Sequence, residues 1–250
     1  MLEFNWINMD VNSVPVLCAK DMDRLAEALI KDYKPSLLYE PQPVNYEHFL
    51  QSYLGFNLEY QDLRTENPND QILGLTAFEN DIAIIFDRED KCLKKIDIPK
   101  NTVVLSTTLL TTEQKGRLRF TALHEAAHAW LHRDYYIYNI FDDESLAIAN
   151  CCSETVEGFT LRKCRSPEGW IEYQANYMAS ALAMPRTPFV ELTRETLNCE
   201  GINKMCIVIG QDAGNDWFAQ WELPAIIANN FGVSRKAASI KLSNFGFVVR

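Results

Sequence analysis

The 250-residue sequence predicts an α+β fold in which a small, mostly antiparallel sheet packs with several helices. Apolar residues recur at helical spacing before and after the middle of the chain, whereas residues 57–110 contain short β-rich runs separated by turn residues. The chain is 47% hydrophobic with only ten Gly and ten Pro, which supports a packed core and excludes a disordered or collagen-like protein.

Two helices are predicted before the sheet. The first covers about Asp21–Tyr33 and ends there because Pro35 cannot continue a helix. The second begins near Asn45, after a proline-rich bridge. The strands of the sheet are expected at the β-rich runs Asn57–Leu63, Ile72–Phe78, Ile82–Phe86 and Thr102–Ser106.

Helices dominate the prediction after the sheet. A long helix is expected over about Glu113–Arg133, followed by an irregular stretch of short helix and loop at 134–165. The next helix covers Ser166–Met184, since it begins with a capping residue and a proline at the first helical position. It is expected to end there because Pro185 and Pro188 follow.

The C-terminal part is expected to form a small helix-turn-helix-like segment. Residues 196–222 have no clear assignment, and two short helices are expected from Leu223 onward, the second capped by Ser234. We therefore divide the chain into a domain at 1–200 and the segment at 201–250.

Basic residues on the second C-terminal helix raise the question of DNA binding. The net charge of the whole chain is −10, whereas residues 223–250 contain four basic residues and no acidic one. The acidic remainder opposes phosphate binding, so a packing role is favoured over DNA contact. The basic residues of that helix are Arg235, Lys236 and Lys241.

The composition favours a reduced, cytoplasmic protein. The longest unbroken apolar run has five residues, against about 20 in a membrane helix, so no membrane partner is expected. The N-terminus lacks the cationic and apolar regions of a secretion signal. Among seven cysteines, Cys151, Cys152 and Cys164 lack the paired spacing of zinc modules and are expected to be reduced thiols.

Three of the four histidines fall within nine residues of the long predicted helix. Residues 124–128 form an HExxH motif. Because four residues advance a helix by about 400°, His124 and His128 project from nearly the same face and can bind one metal ion. Glu125 lies about 100° around the helix, where it can act as a general base towards a metal-bound water.

The surroundings of the motif favour a metal site over a solvated pair of histidines. Apolar residues on most sides of the helix predict that His124 and His128 are buried, and buried imidazoles need polar partners. The apolar neighbours are Phe120, Leu123, Ala126, Ala127, Trp130 and Leu131.

The third ligand must come from outside the motif. Asp134 could reach the metal only through a glycine turn, and Leu131 stands at the glycine's position on a helix with no predicted break. The later glutamates are Glu144, Glu154, Glu157, Glu168 and Glu172. Of these, only Glu172 lies well inside a predicted helix. Asn176, one turn further on, can orient that carboxylate or a ligand histidine.

The segments RFTALHEAAHAWLH and EYQANYMASALAMP resemble the ImmA/IrrE family of zinc metallopeptidases. The family signature is an RFTxxHExxH helix and then an ExxAN helix ending in a Met-Pro pair, here Met184-Pro185. The resemblance covers about Thr102–Pro185. Two features depart from it: Ala127 replaces a common glycine, and Glu172 follows His128 by 44 positions, a longer gap than usual.

This resemblance implies a zincin-like metallopeptidase core with one zinc ion bound by His124, His128 and Glu172. It also implies that Glu125 is the catalytic base. Members of the family typically cleave a helix-turn-helix transcriptional repressor and so relieve repression. The resemblance therefore implies an intracellular zinc endopeptidase whose partner is such a repressor.

Further polar residues near the motif are expected to have supporting roles. His132 lies one more turn along the same face, but a fourth protein ligand would take the position that water needs. We therefore expect it to support a ligand or the fold. Hydrolysis also needs a donor to the oxyanion, and the sequence does not select among the nearby tyrosines. These are Tyr135, Tyr136, Tyr173 and Tyr177.

Substrate binding, regulation and a rival function complete the prediction. The sheet before the motif helix is expected to supply an edge strand on which an extended substrate segment can pair. The rival function is a non-catalytic zinc-containing regulator that binds DNA or a repressor through its C-terminal helices. A third hypothesis is a peptidase held latent until a partner or signal arrives.

Overall fold

The chain forms a mixed α+β fold in the computed structural model, which confirms the predicted class. The described residues are 2–4, 6, 8–65, 67, 70–139, 148–152, 166–211 and 214–249, with the backbone alone described for 138, 139 and 148–152. None of the helices in these ranges is long and apolar enough to cross a membrane.

The strands form one central sheet and two smaller ladders. They are β1 Asn57–Gln61, β2 Ile72–Ala77, β3 Asp81–Asp87, β4 Cys92–Ile98, β5 Thr102–Ser106, β6 Ile148–Cys152, β7 Ile207–Val208 and β8 Val248–Val249. The central sheet has the order β1-β5-β2-β6. β1 is parallel to β5, and β2 is antiparallel to both β5 and β6. The prediction of a small, mostly antiparallel sheet is therefore confirmed.

Four strands were not predicted. Two of them, β7 and β8, have two residues each and pair with each other, and the other two are β6 and β4. β6 lies within the stretch 134–165 that the sequence presents as irregular, so that prediction is wrong there. β4 pairs with β3 in a separate hairpin, and all but one of its residues are at least partly exposed. Both strands depend on hydrogen bonds to a partner strand, which a local hydropathy pattern does not reveal.

The helices follow the prediction in most places. They are α1 Ala19–Tyr33, α2 Tyr46–His48, α3 Lys115–Leu131, α4 Arg133–Asn139, α5 Pro167–Ala183, α6 Arg186–Cys199, α7 Leu223–Phe231 and α8 Arg235–Asn244. Asn45 caps α2, since its side chain accepts from the backbone N–H of His48 at 3.1 Å. Ser166 caps α5 by accepting from Gly169 N at 3.1 Å, as its sequence position predicts.

The predicted long helix at 113–133 ends earlier than expected. α3 stops at Leu131, and His132 leaves the helical region with φ −116° and ψ 9° before α4 begins. The expectation of an unbroken helix at this point is therefore wrong. The His132 side chain is held by contacts to other residues, described below, so tertiary contacts accompany the change of direction.

The chain becomes helical again soon after Met184, although two prolines lie there. The sequence suggests that Pro185 and Pro188 end the helical run, yet α6 begins at Arg186. Pro185 is the N-cap residue, and Pro188 lies in the first turn, where its missing N–H has no intrahelical acceptor to lose. The two prolines therefore end one helix and start the next.

The C-terminal helices pack on the main hydrophobic core. Phe231 of α7 and Leu242 of α8 belong to the same buried cluster as residues of α1, α3 and α5. Lys241, one of the basic residues considered for DNA contact, is buried, and its Nζ donates to Ser180 O at 3.2 Å. Its charge is therefore turned towards α5 rather than solvent. The division at residue 200 remains a prediction.

Gly116 lies where α3 closely approaches the C-terminal segment. A Cβ at Gly116 would lie 2.8 Å from Ser234 N and 2.9 Å from Val233 C, both backbone atoms. We expect Gly116→Ala to destabilise the fold by about 1–3 kcal/mol through overpacking, although alanine is the better helix former.

The free energy of unfolding, measured by urea titration, tests this prediction. Gly214→Ala is the matched control because a Cβ there meets nothing within 4 Å. A gain in stability for Gly116→Ala would mean that helix propensity outweighs the close contact.

Candidate metal centre

Three potential ligands from two helices meet in the interior of the protein. The Nε2 atoms of His124 and His128 on α3 are 3.0 Å apart. Glu172 of α5 places Oε2 3.4 Å from His124 Nε2 and Oε1 3.2 Å from His128 Nε2. In the part of the chain that the structure describes, these three residues form a group able to hold a metal ion.

Helix geometry and helix packing produce this group. The four-residue spacing puts both imidazoles on one face of α3, and α3 packs along α5. Ala126 of α3 and Ala175 of α5 are both buried, and such small side chains permit a close approach of the helices. The approach brings Glu172 to the two imidazoles across 44 positions of sequence.

The ligand distances fit a small tetrahedral cation. Ligand atoms at about 2.0–2.1 Å from a tetrahedral zinc are about 3.3 Å from one another. The two Nε2 atoms are 3.0 Å apart, and each lies 3.2–3.4 Å from a different oxygen of Glu172, so these separations are close to that spacing. Glu172 Oε2 is buried and makes no hydrogen bond, so it has an unused lone pair at this point. The donor set of two imidazoles and a carboxylate suits a divalent transition metal.

Asn176 supports one of the two imidazoles. Its Oδ1 lies 3.2 Å from His124 Nδ1. When His124 Nδ1–H donates to this oxygen, the lone pair of Nε2 faces His128 and Glu172. The residue predicted to orient a ligand thus contacts His124 rather than the carboxylate.

His132 is fully buried and does not enter the group. Its Nδ1 lies 3.1 Å from His128 Nδ1, and its Nε2 lies 2.9 Å from Gln174 Oε1. Burial and the neighbouring His128 lower the pKa of His132 to about 3, so its imidazole is neutral at physiological pH. With both ring nitrogens engaged, His132 is not positioned as a fourth ligand.

The surroundings of Glu172 and His128 lower the pKa values of both groups. Burial alone would raise the pKa of Glu172, but His128 and His124 beside it lower that pKa well below its usual range. Burial lowers the pKa of His128, against the opposing effect of Glu172. A neutral imidazole and an ionised carboxylate are the protonation states that metal binding requires.

Glu125 is held apart from the ligands by strand β2. Thr76 of β2 donates its hydroxyl hydrogen bond to Glu125 Oε2 at 2.6 Å. The other carboxylate oxygen, Oε1, is buried without a hydrogen-bond partner. Burial raises the pKa of Glu125 to about 8. A carboxyl group with such a pKa can exchange a proton near neutral pH.

Two residues that matter for Glu125 were missed by the sequence analysis. A Cβ at Gly74 would lie 2.7 Å from Glu125 Oε1, so the glycine leaves the space that the carboxylate occupies. Thr76 supplies the hydrogen bond. Both lie on β2, far from the motif in sequence, and the only available signal was a glycine inside an apolar strand.

The structure separates the four candidate tyrosines. Tyr136 is the one against the site: its ring centroid is 6.0 Å from that of His128, and burial with nearby Glu172 raises its pKa well above its usual value. Tyr135 donates to Glu168 at 3.3 Å, and Tyr177 hydrogen-bonds Asp23. Tyr173 stacks with Trp170 at 5.3 Å.

The remaining ligand candidates divide into two sets. Asp134 is exposed and lies outside the three-residue group, as does Glu168. Glu144, Glu154, Glu157 and Cys164 lie outside the described residues, and the description of Cys151 and Cys152 does not extend to their side chains.

No known family model matches the chain, and no curated protein matches it either. The support for a metal centre therefore comes from the residues themselves. It consists of the ligand spacing, the burial of the imidazoles and the lowered pKa values of Glu172 and His128.

Removal of the carboxylate charge tests the third ligand. We expect Glu172→Gln to weaken the binding of Co²⁺, followed through its visible absorption and by calorimetry, by more than about 100-fold. Glu168→Gln is the matched control, because Glu168 lies one turn earlier on α5 and is exposed. Equal affinities in the two variants would remove Glu172 from the ligand set.

The pH dependence of the free energy of unfolding, measured on metal-free protein, tests the environment of Glu125. A carboxyl group with a folded pKa of about 8 and an unfolded pKa near 4.5 destabilises the fold as pH rises between those values. We expect Glu125→Gln to remove this loss. The difference in free energy of unfolding between the variant and the parent should then be up to about 4 kcal/mol larger at pH 8 than at pH 4.5, in favour of the variant.

The comparison needs urea titrations of both proteins at several pH values after chelator treatment. Parallel curves for the parent and Glu125→Gln would mean that Glu125 ionises normally in the folded protein. Depression of the Glu172 pKa acts in the opposite direction, because its stabilisation is lost as pH falls.

Proposed function

We propose that the protein is a zinc-dependent endopeptidase of the zincin type that belongs to the ImmA/IrrE family. Its substrate is a protein, and the helix-turn-helix repressor typical of that family is the substrate to test. The observation that carries the proposal is a three-ligand group with a separate carboxylate next to it. Glu125 follows His124 in sequence but is bonded to Thr76 rather than grouped with the ligands.

The chemistry follows from these positions. When bound by three protein ligands, zinc lowers the pKa of a water on its fourth position and polarises the scissile carbonyl. Glu125 takes the proton from the attacking water and passes it to the leaving amine. Burial raises the pKa of Glu125 to about 8 in the metal-free protein, and the positive charge of a bound zinc would favour the ionised form that accepts the proton. Thr76 holds the carboxylate so that one oxygen stays available.

Tyr136 is the proposed donor to the oxyanion. Its ring packs on Phe78 at 4.9 Å with an interplanar angle of 8° and also contacts the His128 ring. Stacking limits the motion of the ring, and a protonated phenol can donate as charge develops on the carbonyl oxygen. Tyr135 and Tyr177 bond to Glu168 and Asp23, which are outside the ligand group.

The described surface around the site supports a latent enzyme. His124, Glu125 and His128 are fully buried, and Glu172 is 16% exposed at its side chain. The strand beside Glu125 is β2, which pairs with β5 on one side and β6 on the other. β2 is therefore an inner strand, and the edges of this sheet are β1 and β6. An extended substrate must pair with β6 or replace it, so opening of this region precedes cleavage in the proposed mechanism.

The rival function, a non-catalytic regulator, finds less support. A structural zinc site would use a fourth protein ligand, and the described residues offer three, with His132 turned to Gln174. DNA binding through the C-terminal helices is also weakened, because Lys241 is buried.

Cleavage of a candidate repressor tests the proposal. A candidate helix-turn-helix repressor is incubated with the zinc-loaded protein, and the fragments are identified by mass. We expect Glu125→Gln to retain zinc and to lower the cleavage rate by about 10²–10⁴-fold, the usual contribution of a general base.

Glu168→Gln again serves as the control, with a rate equal to that of the parent. Addition of cell extract tests whether the enzyme needs activation. Cleavage that persists in Glu125→Gln would remove Glu125 from the mechanism.

A further inference from the structure

We propose that Gln174 and His132 are positioning residues that fix the tautomer and orientation of His128 through a hydrogen-bond relay. The relay begins at the backbone carbonyl of Pro15 and ends at the His128 nitrogen that faces Glu172. The inference rests on the metal site of the proposed function. It adds to that site a series of supporting hydrogen bonds that starts in the N-terminal region.

The direction of the relay is set at Pro15. Gln174 Nε2 lies 2.6 Å from Pro15 O. A backbone carbonyl can only accept, so the amide nitrogen of Gln174 must point at Pro15. The amide oxygen then faces His132 Nε2 at 2.9 Å and accepts the hydrogen bond from it.

Each later link follows from the one before. A neutral imidazole carries one ring proton, and Gln174 holds that of His132 on Nε2. His132 Nδ1 must then accept, and it lies 3.1 Å from His128 Nδ1, which donates. His128 Nε2 is left without a proton, and its lone pair points to the side where Glu172 Oε1 lies at 3.2 Å.

Burial restricts the polar atoms of the relay to the hydrogen bonds described. Gln174, His132 and His128 are all fully buried, so water does not compete for their polar atoms. A broken link would leave a buried donor or acceptor unsatisfied, which is costly. The reversed relay is excluded because it would turn the Gln174 amide oxygen towards the Pro15 carbonyl.

The N-terminal turn holds the first acceptor in place. Asp10 Oδ1 accepts from Asn12 N at 2.8 Å and from Val14 N at 2.9 Å, and Met9 forms a β-bridge with Pro15. The turn at 9–15 is thus connected to the metal centre through a side chain of α5. Gln174 lies two residues before Asn176 on α5, and Asn176 supports His124. The same helix therefore orients both imidazoles.

Nitrogen-resolved NMR of the imidazole rings tests the relay. We expect His132 in the Nε2–H tautomer and His128 in the Nδ1–H tautomer in the Zn²⁺-loaded protein. Gln174→Met keeps the side-chain volume but removes both hydrogen bonds. It is expected to mix the His132 tautomers and to weaken Co²⁺ binding by about 10–100-fold.

Two further variants separate positioning from general destabilisation. Gln174→Glu keeps an acceptor towards His132 and is expected to retain the Nε2–H tautomer, with an affinity between those of the parent and Gln174→Met. Thr193→Val removes another buried hydrogen bond, from Thr193 to Phe189 O at 2.7 Å within α6, and should leave tautomers and affinity unchanged.

The relay is overturned if His132 of the parent is an Nδ1–H tautomer, or if Gln174→Met binds Co²⁺ as tightly as Thr193→Val does. The tautomer of the parent decides the matter even where Gln174→Met fails to fold. A protein with the expected tautomers and metal affinity that cleaves no peptide would refute the peptidase while leaving the relay intact.

Discussion

The packing of α3 against α5 is the contact on which the rest of the site depends. It brings a carboxylate to two imidazoles that already share a helix face, and it does so where both imidazoles are fully buried and the Glu172 side chain is only 16% exposed. Lone pairs from His124, His128 and Glu172 then converge within 3.0 to 3.4 Å. These three residues could hold a divalent cation, and its binding would depend on the helix packing that brings them together.

Burial also explains why so many residues around the centre are polar and paired. A buried imidazole needs a partner on the nitrogen that faces away from the metal, and the structure supplies Asn176 for His124 and His132 for His128. The buried oxygens left without hydrogen bonds include one from Glu125 and one from Glu172. These are the atoms that the proposed chemistry uses, one to move a proton and one to hold the ion.

Local patterns in the sequence predicted the parts of the site that depend on helix periodicity. The HExxH spacing located His124 and His128, and the Ser166-Pro167 start located the helix that carries Glu172. The missed features depend on contacts between distant segments. β4 and β6 exist through their partner strands, and the Pro15 carbonyl reaches the site across 159 positions. No periodicity or spacing rule relates such residues, because their proximity is created by the fold.

The sheet decides the role that Glu125 can take. The helix alone puts this carboxylate beside His124, where a slightly different side-chain rotamer could have made it another ligand. Thr76 draws one of its oxygens to β2 at 2.6 Å, and the absence of a side chain at Gly74 leaves room for the other. Because the strand holds Glu125 off the ligand group, the described residues there offer three candidate ligands rather than four. The α+β architecture thus separates a base from the ligands beside it, which a helix pair by itself does not do.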